Sequence, residues 1–237
     1  FYGANTGRDV NSAYRVDADG RRRLLGRRNT LAPNVVLPDG GVLFSQLDYV
    51  DRFTVRSDLW VQRDASRPSG PIPGFGAAAG GQVRLTRGAR LAHPDARGDG
   101  EIVATRYGAG TTALVRVSRD GARIAPLTRA TPDSQWTEPR WSPDGRHVAA
   151  VVLTPGARAA VVVLDTLGRV VRVAADERAV QLAPAWSRDG RRVLWASDRT
   201  GEPQLHAADV RLDDAAAPVR VPASAVVRLT DVPTGVL

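Results

Sequence analysis

The chain has 237 residues and a formal net charge of +8, long enough for one all-β domain to bury a sizeable core. It holds no cysteine, which excludes disulfides and thiolate metal sites, and no run reaches the roughly 18–20 consecutive apolar residues of a membrane span. Every basic residue is Arg, and the arginines are scattered, many in turns, such as Arg21, Arg22, Arg123, Arg146 and Arg191; a nucleic-acid surface clusters its cations with aromatics between them, so no nucleic-acid partner is expected.

No charged-then-apolar leader opens the chain, and its first residue is Phe1, so it reads as a piece of a longer protein. Phe1 to Thr6 reads as a short strand. Asn11 to Asp17 alternates with the period of two of a half-buried strand. Asp19-Gly20 supplies a hairpin turn, since both residues tolerate positive φ, and Arg21 to Leu25 is the strand that follows. A second unit starts near Leu31, turns at Pro38-Asp39-Gly40-Gly41 and continues through Val42 to Ser45. Gln46 to Ser57 reads as an interruption before Asp58 to Gln62 resumes the pattern. Ser66 to Gly81, rich in Pro, Gly and Ala, reads as an exposed loop, and Val83 to Thr86 closes the unit.

The third unit contains Ile102–Thr105, Ala113–Val117, the Asp120-Gly121 turn and Ile124–Thr128. The fourth runs from Trp136 through Val148–Val152 and Ala160–Asp165 to Arg169–Val173. The fifth runs from Pro184 through Val193–Ala196 and Gln204–Asp209 to Val226–Thr230, with a loop at Asp213 to Pro218. Thr234 to Leu237 resembles the start of another first strand.

One motif organises these units. Pro139-Arg140-Trp141-Ser142-Pro143-Asp144-Gly145-Arg146 returns 45 residues later as Pro184-Ala185-Trp186-Ser187-Arg188-Asp189-Gly190-Arg191. A degenerate copy keeps the register at Asp99-Gly100, and Asp39-Gly40 precedes it by 60 residues, the extra length matching the Pro/Gly-rich insertion. A step of about 40–45 residues is one four-stranded propeller blade. The expected fold is all-β: a β-propeller of four-stranded antiparallel blades, about five present, from a six-bladed or larger ring. As one domain over 1–237, its blades fall near 1–27, 31–87, 91–129, 136–174 and 184–231. The Pro presets a turn, Asp144 can bond amides ahead of it, and Gly145 takes the left-handed conformation. Trp141 and Trp186 are expected to wedge between neighbouring blades, and Val193-Leu194-Trp195 to pack within one.

Trp-Ser-Pro-Asp-Gly-Arg followed by a short apolar strand and then Ser197-Asp198-Arg199-Thr200-Gly201 resembles the repeat of TolB-type propellers. Related WD-like repeats occur in the propellers of prolyl oligopeptidase and dipeptidyl peptidase relatives. The match is good over 136–173 and 184–230, partial over 91–128 and loose before that. The resemblance implies a periplasmic or extracytoplasmic scaffold that docks a protein or peptide partner. The alternative it implies is an accessory propeller gating substrates for a peptidase domain outside this chain.

The residues offer little chemistry of their own. There is no Gly-x-Ser-x-Gly elbow and no His-Glu-x-x-His motif. His147 and His206 fall within expected strands as structural imidazoles, and His93 falls just before the third unit's inner strand. Asp213-Asp214 lacks the spaced oxygens of a calcium loop, and Gly74 to Gly81 lacks the Gly-Lys-Ser/Thr of a phosphate loop. No catalytic residue, metal site or cofactor is expected. The candidate contact residues are Gln135, Trp136, Glu138 and Arg140, at the entry to the fourth unit, and Arg106, Tyr107, Asp198 and Arg199, at hairpins expected on the same face. Asp198 and Arg199 could equally stabilise their turn and bridge to a neighbouring blade.

Overall fold

The computed structural model describes residues 2–4, 11–28, 33–64, 66, 81–108, 110–210, 218–233 and 235. Those residues are almost all strand or turn, and none of their helices is long and apolar enough to cross a membrane. They divide into two compact units, residues 1–107 with 116–125, and residues 108–115 with 126–237.

In the first unit, Tyr2–Ala4 (β1), Asn11–Val16 (β2) and Arg22–Arg28 (β3) form an antiparallel three-stranded sheet. Val35–Val36 (β4), Val42–Tyr49 (β5), Val55–Gln62 (β6) and Gln82–Arg84 (β7) form a four-stranded antiparallel meander. Leu91–Ala96 (β8) and Ile102–Gly108 (β9) pair antiparallel, and β8 packs against β4, β5 and β6. Leu43, Phe44, Leu59, Leu91, Ile102 and Val103 are buried there. Gln46 to Ser57 does not interrupt the sheet: β5 and β6 stay in register from Val42↔Gln62 to Tyr49↔Val55, one continuous hairpin. Its alternation is hidden because Gln46 and Asp58, which face each other across the pair, are polar and fully buried.

In the second unit, Gln135–Trp141 (β12), His147–Thr154 (β13), Arg158–Asp165 (β14) and Val170–Glu177 (β15) form another antiparallel meander, and Gln181–Trp186 (β16), Arg192–Ser197 (β17), Gln204–Asp209 (β18) and Val227–Arg228 (β20) a second. Between them in number, Thr111–Val117 (β10) and Ile124–Pro126 (β11) are shared by the two units, and Val219–Arg220 is β19. β16 packs against β12, β13 and β14, and the core between these sheets contains Val151, Val161, Val163, Val193, Val210 and the fully buried Trp195. Strands whose two faces are both covered read as unbroken Val/Ala runs, as β13 and β14 do.

Two features escaped the strand pattern. β19 lies parallel to β15, with Arg172↔Val219 and Val173↔Arg220 paired, so it covers an edge that would otherwise expose unpaired backbone groups. A 3-10 turn at Ala223–Ala225 leads from there to β20. Asp213-Asp214 lies outside the described residues, as do most of Ser66–Gly81 and Thr234–Leu237.

The recurring turn is built as its residues require. Ser118 of the Asp120-Gly121 hairpin, and Ser142 and Ser187 of the motif, donate their hydroxyls to Asp120, Asp144 and Asp189 at 2.5, 2.5 and 2.6 Å. The same Ser oxygens accept from the amides of Arg123, His147 and Arg192, and each Asp accepts from the amide two residues on. Burial alone would raise the Asp144 carboxyl, but the Ser142 hydroxyl and Arg146 amide hold it below its ordinary value.

Neighbouring repeats meet at a second motif. The Leu-Thr pairs Leu85-Thr86, Leu127-Thr128 and Leu229-Thr230 follow the last strand of a sheet. Their Leu amides bond the carbonyls of Leu59, Leu114 and Leu205 at 2.8, 2.9 and 2.7 Å. The Thr hydroxyl oxygens then accept from the amides of those same three leucines at 3.0, 2.9 and 2.9 Å. Each hydroxyl replaces a ladder partner where the outer strand leaves the sheet, so no buried amide is left unpaired.

Candidate functional site

The proline that opens the main motif explains the geometry at the entry to each sheet. His93, Glu138 and Ala183, spaced by 45 residues, precede Pro94, Pro139 and Pro184, and all three take a left-handed backbone with φ of 48°, 54° and 50°. At each, the pairing of the first strand with the second slips: between Ala92 and Asp95, Thr137 and Arg140, and Leu182 and Ala185. Proline has no amide to give a ladder, so it sits in the bulge where the ladder is interrupted. His93 therefore lies within β8, at its bulge, and not ahead of the strand.

In the second unit the bulges are clasped to one another. A Glu138 carboxylate oxygen accepts from the Ala183 amide at 2.6 Å. The Trp186 indole donates to the Arg140 carbonyl at 3.0 Å and packs against the core between the sheets, the wedge its sequence position suggests. The Arg140 guanidinium bonds the Pro139 carbonyl at 2.8 Å. Asp198 accepts from the Val180 amide at 2.8 Å, and Arg199 pairs with Glu177 at 3.0 Å. Glu138, Asp198 and Arg199 therefore hold turns and bridge sheets.

Gln135 and Trp136 differ. Gln135 is exposed and Trp136 half-buried at the start of β12, and neither side chain makes a hydrogen bond among the described residues. The backbone beneath them is fixed. Thr112 donates its hydroxyl to the Trp136 carbonyl at 2.7 Å, the Thr111 hydroxyl lies 2.8 and 2.7 Å from the Thr131 and Ser134 carbonyls, and Gln135 pairs with Thr112 in a parallel bridge. In the first unit, Arg106 and Tyr107 lie exposed near the end of β9, where Arg106 pairs with Leu91 and the Tyr107 amide bonds the Arg90 carbonyl at 2.9 Å. They occupy the same end of their strand pair that Gln135 and Asp198 occupy in theirs.

His147 and His206 lie within strands, as expected. His206 is 2% exposed and stacks on Trp195, with centroids 6.3 Å apart, while Nδ1 lies 3.0 Å from the Gln204 carbonyl. Burial, only partly opposed by that carbonyl, lowers its pKa, and burial likewise lowers that of His147. Among the described residues no three His, Asp or Glu side chains converge as metal ligands would.

A site that the strand pattern did not reveal surrounds Asp58, whose side chain is fully buried. Its carboxylate accepts from Arg84 at 2.5 Å, from the Thr86 hydroxyl at 2.9 Å, and from the amides of Gly88 and Ala89 at 2.8 and 2.9 Å. Arg84 also reaches Asp48 at 2.8 Å and stands 5.5 Å over the Trp60 ring. Gln204 holds the corresponding place before Leu205, accepting from the Thr230 hydroxyl and the Val232 amide at 2.7 and 3.1 Å. The Leu-Thr pairs are the sequence signal that leads to both.

Bulged inner strands, clasped meanders and a repeating Ser-x-Asp-Gly turn define a β-propeller. Solved structures with this fold include TolB proteins and an oligogalacturonate lyase. TolB from Acinetobacter baumannii superposes with a TM-score of 0.66 at 17% identity, over 86% of this chain and 47% of that one. A putative TolB from Agrobacterium tumefaciens gives 0.62 at 19% identity, over 90% and 66%. Oligogalacturonate lyase from Vibrio parahaemolyticus gives 0.60 at 14% identity, over 97% and 64%. The chain thus spans about half to two thirds of these proteins' length. No family model matches it, and no curated protein matches it by sequence.

Proposed function

We propose that this chain is a non-catalytic propeller scaffold, extracytoplasmic, that binds a protein or peptide partner at the face where first strands enter their sheets. The observation that carries the reading is the pair Gln135 and Trp136. An aromatic ring and an amide with uncommitted hydrogen-bonding groups stand on a connection fixed by Thr111 and Thr112. Preorganised aromatic contacts lose little freedom on binding and dominate interface energetics. The nearby Glu138, Asp198 and Arg199 keep this surface in shape, with Arg140 beside them. Arg106 and Tyr107 offer exposed contacts at the equivalent end of their own sheet. The likeness to TolB supports the scaffold class.

The test selects peptides from a random displayed library on the immobilised full chain and titrates the winners against variants. Trp136→Ala is expected to weaken binding about tenfold or more and Gln135→Ala less, each measured well below the variant's melting temperature, because truncating the half-buried Trp136 also lowers stability. Binding indifferent to both substitutions, or robust hydrolase activity of the purified chain, would overturn the proposal.

A further inference from the structure

The hairpin of β5 and β6 carries a surface that neither the repeat nor the fold requires. Phe53, at its tip, is 91% exposed, and Leu47, Tyr49 and Val55 behind it are 41%, 43% and 40% exposed. Tyr49 and Val55 face each other across the pair and Leu47 lies two residues back along β5, so these three share one face of the ribbon. Scattered exposed apolar residues need no explanation, but four on one hairpin do.

The tip is held rigidly. Asp51 accepts from the amides of Phe53 and Thr54 at 2.9 and 2.8 Å, and the Val50 amide bonds the Thr54 carbonyl at 2.9 Å. From outside the hairpin, Arg87 donates to the Val50 carbonyl at 3.2 Å, and Arg84 binds Asp48 at 2.8 Å and the Tyr49 carbonyl at 3.4 Å. The ordering cost of presenting Phe53 is therefore met in folding and not on association.

The charge around the tip is unbalanced. Asp48 is taken by Arg84, and the carboxylate of Asp51 by backbone amides. Arg52, Arg56 and Arg87 close no ion pair with a described carboxylate; Arg56 feels Asp51 only at longer range. Aromatic residues and arginines are the side chains enriched at protein interfaces.

We infer that this hairpin is a docking element for an acidic protein segment, with Phe53 entering an apolar pocket of the partner and Arg52, Arg56 and Arg87 meeting its carboxylates. The inference rests on the partner-binding reading above but assigns a separate surface. A lipid surface fits less well, because Asp51 and Arg52 stand at the apex beside Phe53 and insertion would drag both charges into hydrocarbon.

The experiment uses the same displayed random-peptide selection on the full chain, with phosphatidylcholine vesicles, with and without phosphatidylserine, as the second probe. Among the enriched peptides, those that keep their binding to Trp136→Ala are expected to be acidic and to contain Leu, Phe or Trp. Their affinity should fall about tenfold or more in Phe53→Ala and in the double variant Arg52→Glu/Arg56→Glu, and weaken with added salt. Phe53→Leu should retain most of the binding. Because Phe53 touches so little of the protein, an unchanged melting temperature certifies that the variants fold. No enrichment, enrichment without acidic character, or binding unaffected by Phe53→Ala overturns the inference, as does binding to anionic vesicles that Phe53→Ala abolishes. Peptides lost on Trp136→Ala but kept by Phe53→Ala would sustain the partner-binding reading and sink the hairpin alone.

Discussion

Replacing Gly168 with Ala tests how the repeats meet. Gly168 closes the turn between β14 and β15 with φ of +82°, and a Cβ there would overlap the Leu127 carbonyl, whose carbon would lie 2.9 Å away. The left-handed conformation costs a non-glycine residue about 1–2 kcal/mol. The overlap adds to this, because Leu127 cannot simply retreat. Its amide bonds the Leu114 carbonyl at 2.9 Å, and the adjacent Thr128 hydroxyl accepts from the Leu114 amide. Losing one or both bonds costs about 1 kcal/mol each. A total near 3 kcal/mol follows, after about 0.5 kcal/mol is returned by the stiffer unfolded chain. For a chain of this size that is a fall in melting temperature of about 6–12 °C. Gly156→Ala is the control: its φ is +81°, yet nothing lies within 4 Å of an added Cβ, so it isolates the backbone cost. Urea unfolding followed by tryptophan fluorescence measures both. Equal destabilisation of the two variants would refute the close approach of the Gly168 turn to Leu127.

The Asp58→Ala variant leaves the Arg84 guanidinium, the Thr86 hydroxyl and two amides short of their shared acceptor, so a loss of about 3–5 kcal/mol is expected by urea titration; a loss below about 1 kcal/mol would mean that solvent already satisfies these groups. His206 is buried with a lowered pKa. The unfolded chain therefore binds a proton that the folded chain resists, and the stability present above about pH 6.5 declines as pH falls below it. His206→Phe, which can still stack on Trp195, should lose less melting temperature than the parent between neutral and mildly acidic pH; identical losses would show that His206 does not sense acid, leaving His147 as the responsive group.

The parts of this protein legible in its sequence are those settled within a few residues. Ser142, Asp144 and Gly145 complete their turn with one another's hydroxyl, carboxylate and positive φ, so the motif announced both the turn and the repeat wherever it stood. Pro139 and Pro184 marked a first strand and its bulge, yet the bond from the Ala183 amide to Glu138 joins residues 45 apart and depends on how two sheets are laid together. A separation of 26 to 36 residues likewise hid the Asp58 cluster, which gathers groups from β5, β6, β7 and the segment after β7. Buried polar residues at Gln46 and Asp58 broke the alternation and made a continuous hairpin read as a gap. Phe53 gave no periodic signal at all, since its exposure follows from the pairing register and from Asp51, Arg84 and Arg87 holding the tip. Local turn chemistry thus determined the architecture, while the surfaces available to a partner were decided by tertiary contacts, because only they set which polar groups are spent on the fold and which face outward.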